Sequence, residues 1–375
     1  MIHSLIFRKP FFEPRIIHDG HMRRSADPLH RIHYGELCLL HAVWGEPGTL
    51  QHDRNHASNG NHRLIVRDRP SAWKLFFVMR GSVIRKVAAQ ILATMILAAV
   101  VSSYHGVFFQ RNVTFTAIPF TIIGLALSIF LGFRNSVAYD RFWEGRRLWG
   151  DLLIASRILA RQVFSLVAPG RPDNDGDLHR LRQRMIYKAI AFAHVLRHHL
   201  RGSDSARDVA PFLKEDERSR VLTSVNPPAA ILRSLGQDLR DCLAQGLVNE
   251  PLAVNIDDTL NNFDRILAGC ERIRSTPVPF SYTLLLHRTA YLYCFLLPFG
   301  LVDTAGMATP IVVGLVSYTF FGLDALGDEI EEPFGTLSND LPLAALSRNI
   351  EINLREALGE TDLPEPLEPE NYQLD

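Results

Sequence analysis

The chain has 375 residues, 47% of them hydrophobic, and its 40 basic and 40 acidic residues sum to a formal net charge of zero. That length suits one large domain or two modest ones, and the balance hides segregation along the chain, so net charge itself carries no nucleic-acid signal. Four cysteines (Cys38, Cys242, Cys270 and Cys294) stand far apart with no CxxC pair, which excludes a disulfide framework and a zinc ribbon.

Residues 1–63 hold nine of the fifteen histidines and show no sustained periodicity. They lack a basic stretch followed by a long apolar run, so no secretory signal is expected. They read as a disordered extension, or as one translated from a start codon placed too far upstream. Residues 64–86 bring six cations beside Trp73, Phe76 and Phe77, a mixture suited to a cytoplasmic membrane interface. Residues 87–103 form a first apolar run, a little short of the ~20 residues that span a bilayer. A short loop with one firm cation, Arg111, follows.

The next stretch organises the chain. Residues 118–133 carry no charge, and then Arg134, Asp140, Arg141, Glu144, Arg146 and Arg147 come in quick succession. No proline follows Pro119, so one helix is expected to run through both halves. Gly124, Ser128 and Gly132 recur every fourth residue, a stripe that lets neighbouring helices approach closely in a membrane. Leu125, Ile129 and Phe133 form an adjacent bulky stripe. Two readings fit the bulky stripe. It faces lipid or core, or, with copies around an axis, it lines stacked apolar rings able to gate by dewetting.

Residues 136–276 are charged and helical, with no spanning segment. Helices are predicted over 148–167, 181–200, 229–245 and 255–273, and Gly202 to Asp208 is expected to be a turn. Asn226-Pro227-Pro228 reads as a helix start. His194 and His198 share a helix face at a spacing that metal sites use, but no HExxH surrounds them, and solvated histidines at a helix end are the simpler reading.

Thr276-Pro277-Val278-Pro279 is a rigid break. A third apolar run spans 282–302, carrying His287 and Arg288 near its start, and a fourth spans 309–323. Four crossings with both termini inside satisfy the loop charges. Residues 324–340 are acidic, and a final helix is predicted over 343–358. The residues after 361 are proline-rich and acidic, which predicts a flexible tail. No GxGxxG, P-loop, HExxH or GxSxG motif appears, so neither an enzyme nor a cofactor is expected.

Three blocks carry a family resemblance: IPFTIIGLALSIFLGFRNSVAYDRFWEGRRLWG at 118–150, TPVPFSYT at 276–283 and DEIEEPFGTLSNDLP at 328–342. In this order they resemble the bestrophins, in their bacterial branch, over about residues 64–358. The resemblance implies an all-α fold, with a four-helix transmembrane domain continuous with a helical cytosolic domain in a pentameric channel subunit. It divides the chain into an extension (1–63), the channel (64–360, with transmembrane helices near 85–104, 118–134, 288–303 and 308–323) and the tail (361–375). It also implies a homopentamer in the cell inner membrane that passes monovalent ions through the lipid bilayer, with no nucleic-acid partner. Chloride is the ion in the family at large and sodium in bacterial relatives, so selectivity stays open. Leu125, Ile129 and Phe133 match the pore neck, with Gly124, Ser128 and Gly132 as the packing stripe. Pro251 or Leu252 matches, loosely, a cytosolic aperture. Asp328, Glu329, Glu331 and Glu332 lie where eukaryotic members bind calcium. Bacterial relatives generally lack calcium control, so these are weak metal candidates beside the alternative of an acidic cap paired with Arg141, Arg146 and Arg147. A non-conducting membrane scaffold or signalling module is the other class of function.

Overall fold

The computed structural model describes residues 64–65, 81–104, 107–108, 111–112, 116–168, 175–369 and 373–374. The extension at 1–63 and the aromatic residues Trp73, Phe76 and Phe77 lie outside them. The helices in chain order are α1 (Ile84–Ser103), α2 (Ala117–Leu166), α3 (Asp175–Arg201), α4 (Ala206–Val209), α5 (Glu215–Leu222), α6 (Pro227–Ala244), α7 (Glu250–Ser275), α8 (Phe280–Ala305), α9 (Thr309–Glu331) and α10 (Leu343–Ala357). The fold is all-α. Its only strands among the described residues are two-residue pieces, β1 (Leu64–Ile65), β2 (Val107–Phe108), β3 (Arg111–Asn112) and β4 (Gln373–Leu374). β1 pairs antiparallel with β4, so the acidic C-terminal segment returns to the start of the region that carries the resemblance.

α2 joins what the sequence presents as two segments. Its 50 residues make a rod of about 75 Å at 1.5 Å per residue, more than twice a bilayer's hydrocarbon core. Pro119 sits in its first turn, where the missing N–H costs nothing. Other helix starts follow local chemistry too. The Asn226 side chain accepts from the Ala229 N–H at 3.2 Å ahead of α6, and Asn249 accepts from Leu252 at 3.0 Å ahead of α7. α8 begins directly after Pro279 and runs three residues past Val302, with Pro298 inside it. Gly306 adopts φ +51°, which ends α8 and folds α9 back along it. The segment expected to be a turn at 202–208 contains the single-turn α4.

Among the described residues, three stretches are long and apolar enough to cross a membrane: Ile84–Ser103, Ala117–Leu166 and Phe280–Glu331, the last holding both α8 and α9. α9 packs on α1, α2 and α8, giving a layer of apolar helices whose core includes Val87, Leu127, Leu131, Ala290, Cys294 and Phe321. The second half of α2 leaves this layer and enters a larger core with α3, α6, α7 and α10, around Trp149, Phe192 and Phe263. One helix therefore belongs to both parts.

Candidate functional site

The bulky stripe on α2 is not used inside the chain. Leu125, Ile129 and Phe133 are 64%, 49% and 62% exposed, whereas Leu127 and Leu131, on the opposite side, are buried against α8 and α9. Only 22% of the apolar window of α2 is buried by its own chain. A face this apolar needs lipid or another chain to cover it.

The small stripe divides. Gly124 is buried, and a Cβ built on it would stand 2.6 Å from the Tyr293 hydroxyl oxygen of α8. Ser128 donates to the Gly124 carbonyl at 2.7 Å. Gly132 is exposed, with nothing within 4 Å of its would-be Cβ. Four residues turn a helix by about 400°, so two such steps rotate the stripe by about 80°. That drift carries it from the inside of the chain to the outside.

Directly after Phe133 lies Arg134, fully buried. Its Nη1 donates to Asp324 Oδ1 at 2.8 Å and to the Asp324 carbonyl at 3.2 Å; its Nη2 bonds Asp328 and lies 3.7 Å from Glu331 Oε2. Asn135 beside it donates to the Leu323 carbonyl at 3.1 Å. From α8, His287 Nδ1 lies 2.7 Å from the second Asp324 oxygen. The elements meet closely because Gly327 leaves room: a Cβ there would stand 3.2 Å from Asn135 Oδ1 and 3.4 Å from the guanidinium carbon. Sequence reasoning passed over Arg134 as a site residue. The available signal was a lone arginine closing a sixteen-residue uncharged run.

The acidic run is answered by cations and amides. Glu329, buried, takes Lys86 at 2.6 Å and the Asn339 amide. Glu331 accepts from the Val278 N–H at 2.9 Å, and its carbonyl takes Arg141 Nε at 2.9 Å. The Glu332 carbonyl accepts from Gly335. Arg146 and Arg147 lie 5.3 and 5.5 Å from the Trp143 ring instead of on these carboxylates. Among the described residues, no three His, Cys, Asp or Glu side chains are grouped to hold a metal ion.

The first turn of α7 holds the candidates for a second constriction. Pro251 is exposed, Leu252 leans on the larger helical core, and Val254, three residues after Pro251 on the same side, is 59% exposed. The histidines of α3 take different partners. His194 meets Glu351 at 3.0 Å, His198 meets Asp208 at 2.8 Å and His199 meets Glu271 at 3.0 Å, on α10, α4 and α7. Burial holds the His198 imidazole below its ordinary value, and Arg197 adds to this against the pull of Asp208.

The chain is similar to known proteins. The family described as Bacterial/Fungal Bestrophin protein matches residues 64–356. A voltage-dependent anion channel-forming protein of Mesorhizobium japonicum is 43% identical over 310 residues, covering 82% of this chain and 96% of that one. One from Escherichia coli K12 is 41% identical over 312 residues, 83% of this chain and 100% of that one. A crystal structure of a bacterial bestrophin homologue from Klebsiella pneumoniae superposes with a TM-score of 0.69 at 38% identity, covering 73% of this chain and 99% of that chain. The chain belongs to the bacterial and fungal bestrophin family.

Proposed function

We propose that this chain is the subunit of a homopentameric ion channel in the cell inner membrane, with both termini in the cytoplasm. It conducts monovalent ions passively and is not an enzyme. The observation that carries this reading is the exposed stripe Leu125, Ile129 and Phe133 on a helix that continues into the charged body. Five such stripes around an axis form stacked apolar rings, a neck in which water is scarce and each ion is poorly solvated. α1, α8 and α9 then stand between neck and lipid. Pro251 and Val254 of α7 are the exposed apolar residues that suit a second, cytosolic aperture. Asp328, Glu329 and Glu331 serve as ion-pair partners in this reading and Glu332 offers its carbonyl to Gly335, with no resident metal. Anions are assigned first because the relatives at 43% and 41% identity are named as anion channel-forming proteins.

The test is flux into liposomes carrying the purified protein, comparing a chloride gradient with a sodium gradient, for wild type and Ile129→Ala. Chloride-driven flux that rises several-fold in Ile129→Ala supports the reading. Sodium-driven flux keeps the channel and reverses the ion. Silence in both, from an intact oligomer, replaces the channel with a non-conducting scaffold.

A further inference from the structure

Three arginines from separate helices line one cavity of about 350 Å³, a volume within the range of small-molecule sites. Arg141 comes from α2, Arg201 from the end of α3 and Arg274 from the end of α7. Phe334 and Thr336 close the side formed by the loop after α9, and Glu332 is the one carboxylate among the described lining residues. The guanidiniums are held in place by main-chain oxygens. Arg141 donates through Nε to the Glu331 carbonyl at 2.9 Å, through Nη2 to the Ile273 carbonyl at 2.6 Å and through Nη1 to the Thr276 carbonyl. Arg274 donates through Nη1 to the His199 carbonyl. Arg201 spans the Phe334 and Leu341 carbonyls, each at 3.4 Å, within Coulomb reach of the buried Asp340.

A guanidinium carries five N–H donors. Among the described residues, Arg141 spends three of them and Arg274 one, all on carbonyls. The carbonyls of a helix end amount to about half an elementary charge, so they position a full cation without neutralising it. Arg141 and Arg274 therefore keep both charge and donors for a further partner. Planar forks converging from two helices suit a group with several oxygens at tetrahedral angles, which accepts in bidentate pairs.

The place of the cavity narrows the source of that group. Arg141 lies seven residues, about 10 Å along the rod, past Arg134, which closes the uncharged run. Its acceptors stand where the chain passes between apolar layer and charged body: Glu331 ends α9, and Ile273 and Thr276 come just ahead of the proline break before α8. Basic pockets at this depth on the cytoplasmic side receive anionic lipid headgroups.

We propose that this cavity binds a phosphate group presented by an anionic lipid of the inner leaflet, with Arg141 and Arg274 as its direct ligands. The inference takes its membrane orientation from the channel reading above. A headgroup held there ties the ends of α3 and α7 to α2 and to the loop after α9, and so joins the charged body to the apolar layer at the bilayer surface.

The experiment is thermal unfolding of the intact oligomer in detergent with phosphatidylglycerol, phosphatidylcholine or inorganic phosphate, with native mass spectrometry counting bound lipid. Phosphatidylglycerol should bind and raise the unfolding temperature, and phosphatidylcholine should not. Arg274→Gln should weaken phosphatidylglycerol about tenfold by removing charge-assisted bonds. Thr336→Asp, at an exposed lining position, breaks no bond seen in the structure and sets a like charge beside the phosphate, so it should weaken binding too. Arg272→Gln, on the same helix but outside the cavity and paired with Glu144, should bind as wild type does. Each variant's elution volume checks that the oligomer is intact. A wild type that does not distinguish the two lipids overturns the site, as does binding unchanged in both cavity variants or lost equally in Arg272→Gln. Inorganic phosphate that stabilises as well as the lipid, and fails in both cavity variants, keeps the phosphate site and overturns the lipid as its source. Binding is read without conduction, so the two readings fail separately: silent liposomes overturn the channel, and lost lipid preference with intact flux overturns only the site.

Discussion

Gly300 of α8 stands so close to the ring of Phe120 of α2 that a Cβ built on it would overlap the ring carbons. Both lie in the apolar layer, Phe120 in the first turn of α2 ahead of the stripe of Leu125, Ile129 and Phe133. The contact sets how near α2 and α8 approach.

Gly300→Ala should therefore overpack this site by about 1–3 kcal/mol. The expected result is a lower unfolding temperature in detergent. Phe120→Ala in the same chain should return part of the loss, because the two changes relieve each other. Additive losses from the two substitutions would mean that the ring turns aside freely.

Gly132 makes the opposite prediction. Nothing in its own chain lies within 4 Å of its would-be Cβ. Gly132→Ala should leave the subunit folded and gain about 1 kcal/mol of helix propensity. Gly132→Leu should also fold, with unchanged helical circular dichroism, yet weaken the oligomer if this face meets a neighbouring subunit. The measurement is native mass in detergent, and an oligomer that survives the leucine removes Gly132 from the interface.

Asp340 links stability to pH. Burial pushes its carboxyl up to about 6, against the Leu337 N–H and the Arg201 guanidinium that hold it down. The folded chain binds this proton more tightly than the unfolded chain, whose value is 3.8. Stability from this group is therefore full below about pH 4 and declines as pH rises to about 6. Asp340→Asn, which can still accept from Leu337, should flatten that decline and raise the unfolding temperature at pH 7. The shift of about two pH units sets an upper bound near 3 kcal/mol. An unchanged slope between pH 4 and 6 in the variant would assign the dependence elsewhere.

The thiols of the larger helical core should be inert. Cys242 and Cys270 are fully buried; burial pushes Cys242 up to about 11, with Asp238 adding to it, and raises Cys270 as well. At pH 8 neither presents much thiolate, and neither is reachable. Maleimide labelling followed by peptide mass mapping should find both modified only after denaturation. Fast labelling of either in the folded oligomer would place it at an opening absent from the subunit.

Much of the architecture was legible because it is local. The uncharged run at 118–133 and the lack of proline after Pro119 announce a long helix, and α2 is one helix of 50 residues. Asn226-Pro227-Pro228 announces α6, and Pro279 announces α8. These are consequences of periodicity, capping and proline geometry, which act within a few residues. Sequence likewise determined the stripe of Leu125, Ile129 and Phe133, since four-residue spacing places side chains on one side of a helix.

Only the tertiary structure decided which charges meet. Arg134 and Asp324 stand 190 residues apart, and nothing in either neighbourhood names the other. Sequence reading offered Arg141, Arg146 and Arg147 as partners for the acidic run, but only Arg141 reaches it, through the Glu331 carbonyl, while Arg146 and Arg147 lie over Trp143. His194 and His198 share a helix face, yet each is taken by a carboxylate from a different helix. The small stripe shows the same limit: its spacing was visible, but whether each member faces inward or outward follows from the helix's drift against its neighbours. Local rules act over one or two turns, whereas burial and charge pairing depend on which distant segments the packed helices bring together.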